Sequence, residues 1–317
     1  MAKCLITGIA GFIGSALARA ALEQGDEVRG IDNFATGKRE NLGAIFDRID
    51  FRQVDLLDLE ALRQACVGVD YIFHEAAIPS VPKSVIDPLG SNRANVDGTV
   101  HLLIAARDAG VKRVVYAASS SAYGDTPTLP KREDMPPNPI SPYAVAKLAG
   151  ELYMISFFRC YGLETVCLRY FIIFGPRQDP TSPYSGVLAK FITRMLQGKT
   201  PTIFGDGSQS RDFTYIDNAV QANLLAARAP AGEVAGRMFN VATGQQVDLN
   251  QTFRLLKNLT GYAGEVEYGP ERAGDIKHSL ADISRAAKHF GYAPKVNIEE
   301  GLRRTVEWYR SQGAQVR

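Results

Sequence analysis

The feature that most constrains this chain is a glycine-spaced turn, Gly8-Ile9-Ala10-Gly11-Phe12-Ile13-Gly14, directly after an apolar run that ends at Thr7. Glycines there allow a tight turn, a close approach of backbone to a pyrophosphate, and close packing of the next helix on the strand. The start of that helix offers unpaired N–H groups and a partial positive charge to phosphates. The spacing alone also fits an ordinary tight turn, so the residues that follow decide its meaning. Asp32 ends the second apolar run, 18 residues beyond Gly14. A carboxylate at that place accepts hydrogen bonds from an adenosine ribose and repels a 2′-phosphate, which favours NAD over NADP. Lys38 and Arg39 could offset that repulsion, and an aspartate in a loop can equally serve as a cap.

The first 120 residues alternate short β-branched apolar runs with amphipathic stretches, the pattern of a parallel sheet covered by helices on both faces. Strands are predicted over 3–7, 27–31, 49–53, 69–73 and 112–118, and helices over 12–24, 59–65 and 94–109. A helix over 142–160 and a strand over 165–170 follow, after which Gly and Pro become frequent. Such short, uniformly apolar strands belong to a sheet buried on both sides. The expected fold is α/β, a Rossmann-type doubly wound parallel sheet with a smaller C-terminal substrate-binding lobe. Residues 1–170, with a returning segment near 211–240, form the nucleotide half, and 171–317 mainly the substrate half.

Charge and cysteine usage exclude several classes. Thirty-six Lys and Arg against 34 Asp and Glu leave a net charge of +2 with no long run of one sign, so no nucleic-acid or membrane-surface partner is expected. Cys4, Cys66, Cys160 and Cys167 show no CxxC pairing and no HxxxH accompanies them, so no metal site is expected and they read as reduced apolar fillers. The apolar stretch after Lys3 is broken at Thr7-Gly8, too short for a signal peptide or a membrane span, and a cytoplasmic location is expected.

The catalytic pattern is Tyr143-Ala144-Val145-Ala146-Lys147, placed at the start of a helix and preceded by Ser119-Ser120-Ser121 at the end of a strand. Positions four apart share a helix face, which brings the ammonium of Lys147 near the phenol of Tyr143. A nearby positive charge favours the phenolate and makes Tyr143 a general base, while the Ser119 hydroxyl can hold the same substrate oxygen. Tyr and Lys at this spacing also occur on ordinary helix surfaces. Following a dinucleotide turn in register, they specify a site.

Taken together, these motifs resemble the extended short-chain dehydrogenase/reductases, and within them the UDP-hexose 4-epimerases. The likeness runs along nearly the whole chain through Asp32-Asn33-Phe34, Asp55-Leu56, His74-Glu75-Ala76-Ala77, Leu168-Arg169-Tyr170-Phe171, Gly205-Asp206-Gly207, Ser210-Arg211-Asp212 and Arg272-Ala273-Gly274-Asp275. It implies tightly bound NAD held by Gly8, Gly11, Phe12, Ile13, Gly14, Asp32, Asn33, Thr36, Gly37, Asp55, Leu56, Ala76, Ala77, Tyr143, Lys147 and Tyr170. It also implies a UDP-sugar substrate contacted by Ser80, Ser119, Ser121, Gln178, Val187, Thr202, Arg211, Arg272, Asp275 and Ser279, with the two arginines on the diphosphate. The reaction implied is 4-epimerisation through a transient 4-keto sugar. Relatives that dehydrate or decarboxylate carry an acid shortly after the residue matching Ser119, where this chain has Ser120 and Ser121. A decarboxylase or dehydratase is therefore the nearest rival, and an inactive nucleotide sensor is the rival of another class.

Sugar choice is read from Ser279, small where relatives restricted to unacetylated sugars are bulky, and from Gln178 and Ser80-Val81-Pro82-Lys83-Ser84, which resemble the UDP-N-acetylglucosamine branch. Both UDP-Glc/UDP-Gal and UDP-GlcNAc/UDP-GalNAc stand as candidate pairs. The chain departs from the family at Ile172, where Asn is usual, at Pro79, and at Ile9 in the phosphate turn. A homodimer through the helices near 94–109 and 142–160 is expected, from the apolar surplus of Leu102, Leu103, Leu152, Met154, Ile155 and Phe158.

Overall fold

The computed structural model describes residues 1–180, 186–271 and 277–313. From the N-terminus the chain runs through β1 (Lys3–Thr7), α1 (Phe12–Glu23), β2 (Glu27–Asp32), β3 (Asp50–Gln53), α2 (Leu59–Cys66), β4 (Tyr71–His74), α3 (Val81–Ile86), α4 (Pro88–Asn92), α5 (Gly98–Asp108), β5 (Arg113–Ser119), α6 (Pro142–Tyr161) and β6 (Glu164–Tyr170). Short elements follow: β7 (Ile173–Phe174), α7 (Val187–Leu196), β8 (Thr202–Phe204), β9 (Ser210–Arg211), β10 (Thr214–Tyr215), α8 (Ile216–Arg228) and α9 (Ala231–Val234). The chain then rejoins the main sheet as β11 (Arg237–Val241), and ends in β12 (Val247–Asp248), α10 (Leu249–Thr260), β13 (Glu267–Gly269), α11 (Ser284–Phe290) and α12 (Ile298–Ser311).

The central sheet has seven strands in the order β11-β6-β5-β4-β1-β2-β3, every pairing parallel. The winding reverses between β1 and β4, and a ligand crevice opens outside the carboxyl ends of the strands at such a point. The register places Thr7 beside His74, His74 beside Tyr116, and Ser119 beside Tyr170 along that edge. This is the Rossmann-type sheet expected from the sequence.

Uniform apolarity of the strands has a simple cause. Along β5 the side chains alternate between two cores, Val114, Tyr116 and Ala118 facing α2, α5 and α6, and Val115 and Ala117 facing the side of α1 and α8. The central positions of such a strand are therefore apolar on both faces, and charged exceptions on β5 and β6 are paired, Arg113 with Glu164 and Arg169 with Glu151. Leu102, Leu103 and Met154 lie in the first of these cores with no exposed surface, which corrects the expectation that they form surplus apolar surface. Leu152 is exposed, as are Val81, Val85, Ile86, Leu89, Val145, Tyr153 and Tyr161 on α3, α4 and α6. Cys4, Cys66 and Cys167 are buried fillers, but Cys160 is exposed.

Helices α3 and α4 were hidden in the sequence by Pro82 and Pro88, which read as breakers. Both prolines sit in the first helical turn, where a missing N–H costs nothing, and Ser80 and Asp87 cap the turns by accepting from the amides of Lys83 and Gly90. The helix expected over 94–109 is regular only in α5, because Arg93–Asp97 forms a wider turn continuous with α4. Among the described residues no helix is long and apolar enough to cross a membrane, and no group of three His, Cys, Asp or Glu side chains could hold a metal ion.

Candidate active site

The glycine turn is shaped by its neighbours. Gly8 has φ +65°, and a Cβ there would lie 2.7 Å from the Ala76 Cα. A Cβ on Gly14 would lie 2.3 Å from the Gly8 carbonyl oxygen, so α1 packs against the turn only without side chains. Gly11 caps α1 with no side-chain acceptor, which leaves the first amides of the helix, at Phe12 and Ile13, available to an anion. Ile9, the departure in this turn, is fully buried, and its side chain occupies the space above Gly30.

Asp32 ends β2 and accepts from the amides of Ala10 at 2.9 Å and Phe34 at 2.7 Å. Burial pushes its carboxyl up and these amides oppose the shift. A Cβ on Gly37 would meet the Asp32 carboxylate at 2.8 Å, so the chain around Thr36 and Gly37 folds tightly over it. Beside it, Asn33 donates to Asp55 at 2.8 Å, and Asp55 also accepts from the Leu57 amide at 2.9 Å, which fixes Leu56 between β3 and α5. A carboxylate has about four acceptor positions, so Asp32 retains capacity for two ribose hydroxyls. The uncapped amides, the glycine cradle and this carboxylate fit a dinucleotide.

Ser119 and Tyr143 come together at the carboxyl edge. Pro142 starts α6 behind the Ser141 cap, and the Tyr143 amide donates to Ser84 Oγ at 3.0 Å, tying α6 to α3. The Ser119 oxygen receives Ser121 Oγ at 2.8 Å and the Ser121 amide at 3.2 Å. Burial pushes the Tyr143 phenol above its usual range, and its hydrogen bond to Ser119 pulls the other way. This differs from the expectation that Lys147 lowers it. The Lys147 ammonium instead lies 4.6 Å from the centre of the Tyr116 ring, and burial brings it down to about 8 against the opposing attraction of Glu75.

Beneath this pair, His74 is locked between Thr7 Oγ1 at 2.8 Å and Thr99 Oγ1 at 2.9 Å. Tyr170 donates to Glu75 Oε1 at 2.9 Å and accepts from Asn223 Nδ2 at 2.6 Å. The His74, Glu75, Tyr116 and Asn223 contacts escaped sequence reasoning, since His74 and Tyr116 on strands, Glu75 just past β4 and Asn223 on α8 are far apart in sequence and no spacing signals their partners. Ala76 and Ala77 form the half-buried wall beside them.

At the far end of the cleft, Val187, Thr202, Phe204 and Arg211 line one small cavity of about 80 Å³. Three substrate residues predicted from widely separated positions thus converge. Arg211 is steadied by the carbonyls of Ser210 at 2.9 Å and Lys277 at 3.0 Å. Ser279 sits beside them, its amide on the Ser210 carbonyl at 3.1 Å, and Gln178 Nε2 reaches the Ile173 carbonyl at 3.5 Å. Ser80 uses its hydroxyl to cap α3. Arg272 and Asp275 lie outside the described residues. A larger hollow of about 690 Å³ between α1 and α8 touches Phe12 but contains none of Ser119, Tyr143 and Lys147. The chemistry is elsewhere.

Residues 4–242, three quarters of the chain, match the model of the NAD dependent epimerase/dehydratase family. The chain belongs to that family. It is 40% identical to a UDP-glucose 4-epimerase of Mycolicibacterium smegmatis, over 98% of this chain and 99% of the relative. Among solved structures it is similar to the UDP-glucose 4-epimerase of Thermotoga maritima with UDP-glucose (TM-score 0.93, 40% identity, 98% of this chain and 99% of the other). A UDP-N-acetylglucosamine 4-epimerase of Methanobrevibacter ruminantium in complex with UDP-N-acetylmuramic acid is as similar (TM-score 0.93, 41% identity, 98% and 99%). As a member of this family the chain takes NAD, and the glycine turn between β1 and α1 with Asp32 at the end of β2 fits that cofactor.

Proposed function

We propose that the chain catalyses NAD-dependent 4-epimerisation of a UDP-hexose, and that the observation carrying this reading is the placing of Tyr143 against Ser119, itself held by Ser121, beside a glycine cradle. NAD is held by the Gly8–Gly14 turn, Asp32, Asn33, Thr36, Gly37, Asp55, Leu56, Ala76, Ala77, Lys147 and Tyr170. When bound it supplies the acceptor and later the donor of the hydride at the sugar C4. Tyr143 takes the proton of the 4-hydroxyl, Ser119 holds that oxygen, and Ser121 orients Ser119. Arg211 keeps the diphosphate anchored while the 4-keto sugar turns about it, and Tyr143 returns its proton to the opposite epimer.

Elimination of water or loss of carbon dioxide needs a further acid/base beside Ser119. Ser120 and Ser121 cannot act as one near neutral pH. The small Ser279, next to the Arg211 cavity, and Gln178 favour room for an acetamido group, so UDP-GlcNAc/UDP-GalNAc is included with UDP-Glc/UDP-Gal. The likeness to epimerases of both kinds supports the same breadth. The exposed apolar residues of α3, α4 and α6 support assembly as a homodimer through that flank.

The test is incubation of the purified protein, without added cofactor, with UDP-GlcNAc, UDP-glucose and UDP-glucuronate, followed by NMR of the sugar. Appearance of galacto epimers from the first two is expected. Loss of carbon dioxide from the third, with no epimer from the others, would replace this reading with a decarboxylase.

A further inference from the structure

We propose that Ser84 is a positioning residue for the proton transfer at Tyr143: it ties the first turn of α6, and with it the phenol, to the wall of the cofactor groove. The proposal rests on the reading that Tyr143 is the acid/base, but it concerns a side chain outside the Ser119/Tyr143/Lys147 pattern. Ser84 lies in the Ser80–Ser84 stretch whose resemblance bears on sugar choice, and its contacts give it a different task. It is fully buried. Its hydroxyl donates to the Val81 carbonyl at 2.7 Å, and the oxygen accepts the Tyr143 amide at 3.0 Å. With its one proton committed, Ser84 has none to offer a sugar.

The first amides of a helix have no partner within the helix and must find one outside it. In α6, Pro142 has no amide hydrogen, the Ala144 amide goes to Ser141 Oγ at 3.2 Å, and the Val145 amide goes to the Ser141 carbonyl at 2.9 Å. The Tyr143 amide lies outside this local cap and takes its acceptor from α3. From Lys147 on, the sheet holds α6 instead. The Tyr116 hydroxyl donates to the Lys147 carbonyl at 3.4 Å, a Cβ on Gly150 would lie 2.3 Å from that hydroxyl, and Arg169 binds Glu151 through two bonds of 2.6 and 2.8 Å. Lys147 is thus placed by β5, and Tyr143, one turn earlier, by α3. The far end of the tie is the cofactor groove. The Ser84 amide donates to the Ser80 carbonyl at 3.1 Å, the Ile78 amide to Asn95 Oδ1 at 2.8 Å, and the Ala76 amide to Thr7 Oγ1 at 3.1 Å. A bonded run therefore leads from the end of β1 through Ala76 and α3 to Tyr143. A substrate hydroxyl must meet the groove and the phenol at once, so a displacement of about 1 Å slows turnover without loosening a nucleotide held elsewhere.

Ser84→Ala removes the acceptor and little volume. A fall in kcat of about ten- to a hundredfold is expected, with KM for the UDP-sugar and the content of bound NAD within about twofold of the wild type. The placement is read separately by NMR, from the ¹³Cζ signal of Tyr143 in ¹³C-tyrosine-labelled protein, assigned by its loss in Tyr143→Phe. Hydrogen bonding at the phenol moves this signal. In Ser84→Ala it should shift toward its position in Ser119→Ala, and the double variant should stand where Ser119→Ala stands. If Ser84→Ala does not fold, Ser84→Cys fills nearly the same space, accepts more weakly and is read in the same way. A Tyr143 signal that stays in place in the folded variant, or a kcat within about twofold of an active wild type, overturns the proposal even where thermal stability has dropped. A shifted signal in a protein whose wild type epimerises nothing leaves Ser84 as the residue that places Tyr143 and condemns the functional reading instead.

Discussion

Ser121 points both of its donors at Ser119, the hydroxyl at 2.8 Å and the backbone amide at 3.2 Å. The Ser119 oxygen is thereby occupied as an acceptor, and its own proton is directed to Tyr143 or to a substrate oxygen. On the proposed reading Ser121 would then act through Ser119.

Removing the Ser121 hydroxyl should therefore cost one neutral hydrogen bond. Ser121→Ala is expected to lower kcat by about two- to tenfold, matching roughly 0.5–1.5 kcal/mol. Because the effect passes through Ser119, the double variant Ser119→Ala/Ser121→Ala should be no worse than Ser119→Ala alone. Steady-state kinetics on the three variants decide this, and additive losses would mean that Ser121 binds substrate directly.

Tyr143→Phe keeps the ring and removes the acid/base. A loss of about 10²–10⁴ in kcat is expected with unchanged thermal unfolding, since only a proton-transfer group is deleted. Circular dichroism melting beside turnover measurements separates this from a folding defect.

On the proposed reading Arg211, which lines the small cavity with Val187 and Thr202, holds the diphosphate through charge. Arg211→Ala should weaken binding of UDP about 10- to 100-fold, the range of a charge-assisted hydrogen bond, and raise KM with little change in kcat. Isothermal titration with UDP checks it. Arg211→Lys should restore only part of the affinity, because an ammonium lacks the planar fork.

How much of this was legible beforehand varies with the kind of signal. The sheet was readable because burial on both faces keeps the middles of β1, β4, β5 and β6 apolar on both sides, and the turn at Gly8, Gly11 and Gly14 was readable because its glycine spacing answers to the close packing of β1, α1 and Ala76. The α3–α4 segment was hidden, because a proline in a first turn and a proline that breaks a helix are the same letter. Of the six residues expected to supply surplus apolar surface, Leu152 is exposed but Leu102, Leu103 and Met154 are core, because periodicity cannot tell which side of an all-apolar helix meets its own sheet. The Glu75–Tyr170–Asn223 chain of hydrogen bonds was invisible, because its members lie far apart in sequence and meet only where the end of β4, β6 and α8 come together. Ile172 shows the converse: its departure from Asn is plain in the sequence, while its half-buried packing on the core and the Thr214 amide bonding its carbonyl at 2.8 Å appear only in three dimensions.

The Arg169–Glu151 pair is almost fully buried, with 2% exposure on each side chain. Burial works against the Arg169 charge, and the Glu151 carboxylate more than reverses it. Glu151→Gln or Arg169→Met leaves one charge stranded and should cost about 3–5 kcal/mol in urea unfolding. The double variant Glu151→Leu/Arg169→Met should be more stable than either single one, because no unpaired charge remains.

His74 and its neighbour Glu75 should bend the pH dependence of stability in opposite directions. Thr99 Oγ1 donates to the Asn95 carbonyl at 2.7 Å and so accepts from His74 Nε2, while Thr7 Oγ1 donates to Nδ1. Protonating Nδ1 would set two donors against each other, which agrees with a histidine lowered to about 3 from the usual 6.5. Below about pH 6.5 the unfolded chain takes up a proton there and the folded chain does not, so stability is lost as pH falls, at ~1.4 kcal/mol per unit. Glu75 has the opposite sign. Its carboxyl rises from 4.5 to about 7, so the folded chain binds the extra proton and stability grows as pH falls through that interval. Between about pH 4.5 and 6.5 the two slopes oppose one another. Relative to the wild type, Glu75→Gln should therefore lose stability toward acid across this interval and His74→Gln should gain it. Urea titrations at a series of pH values test the pair of signs, and parallel curves for all three proteins would sink the assignment.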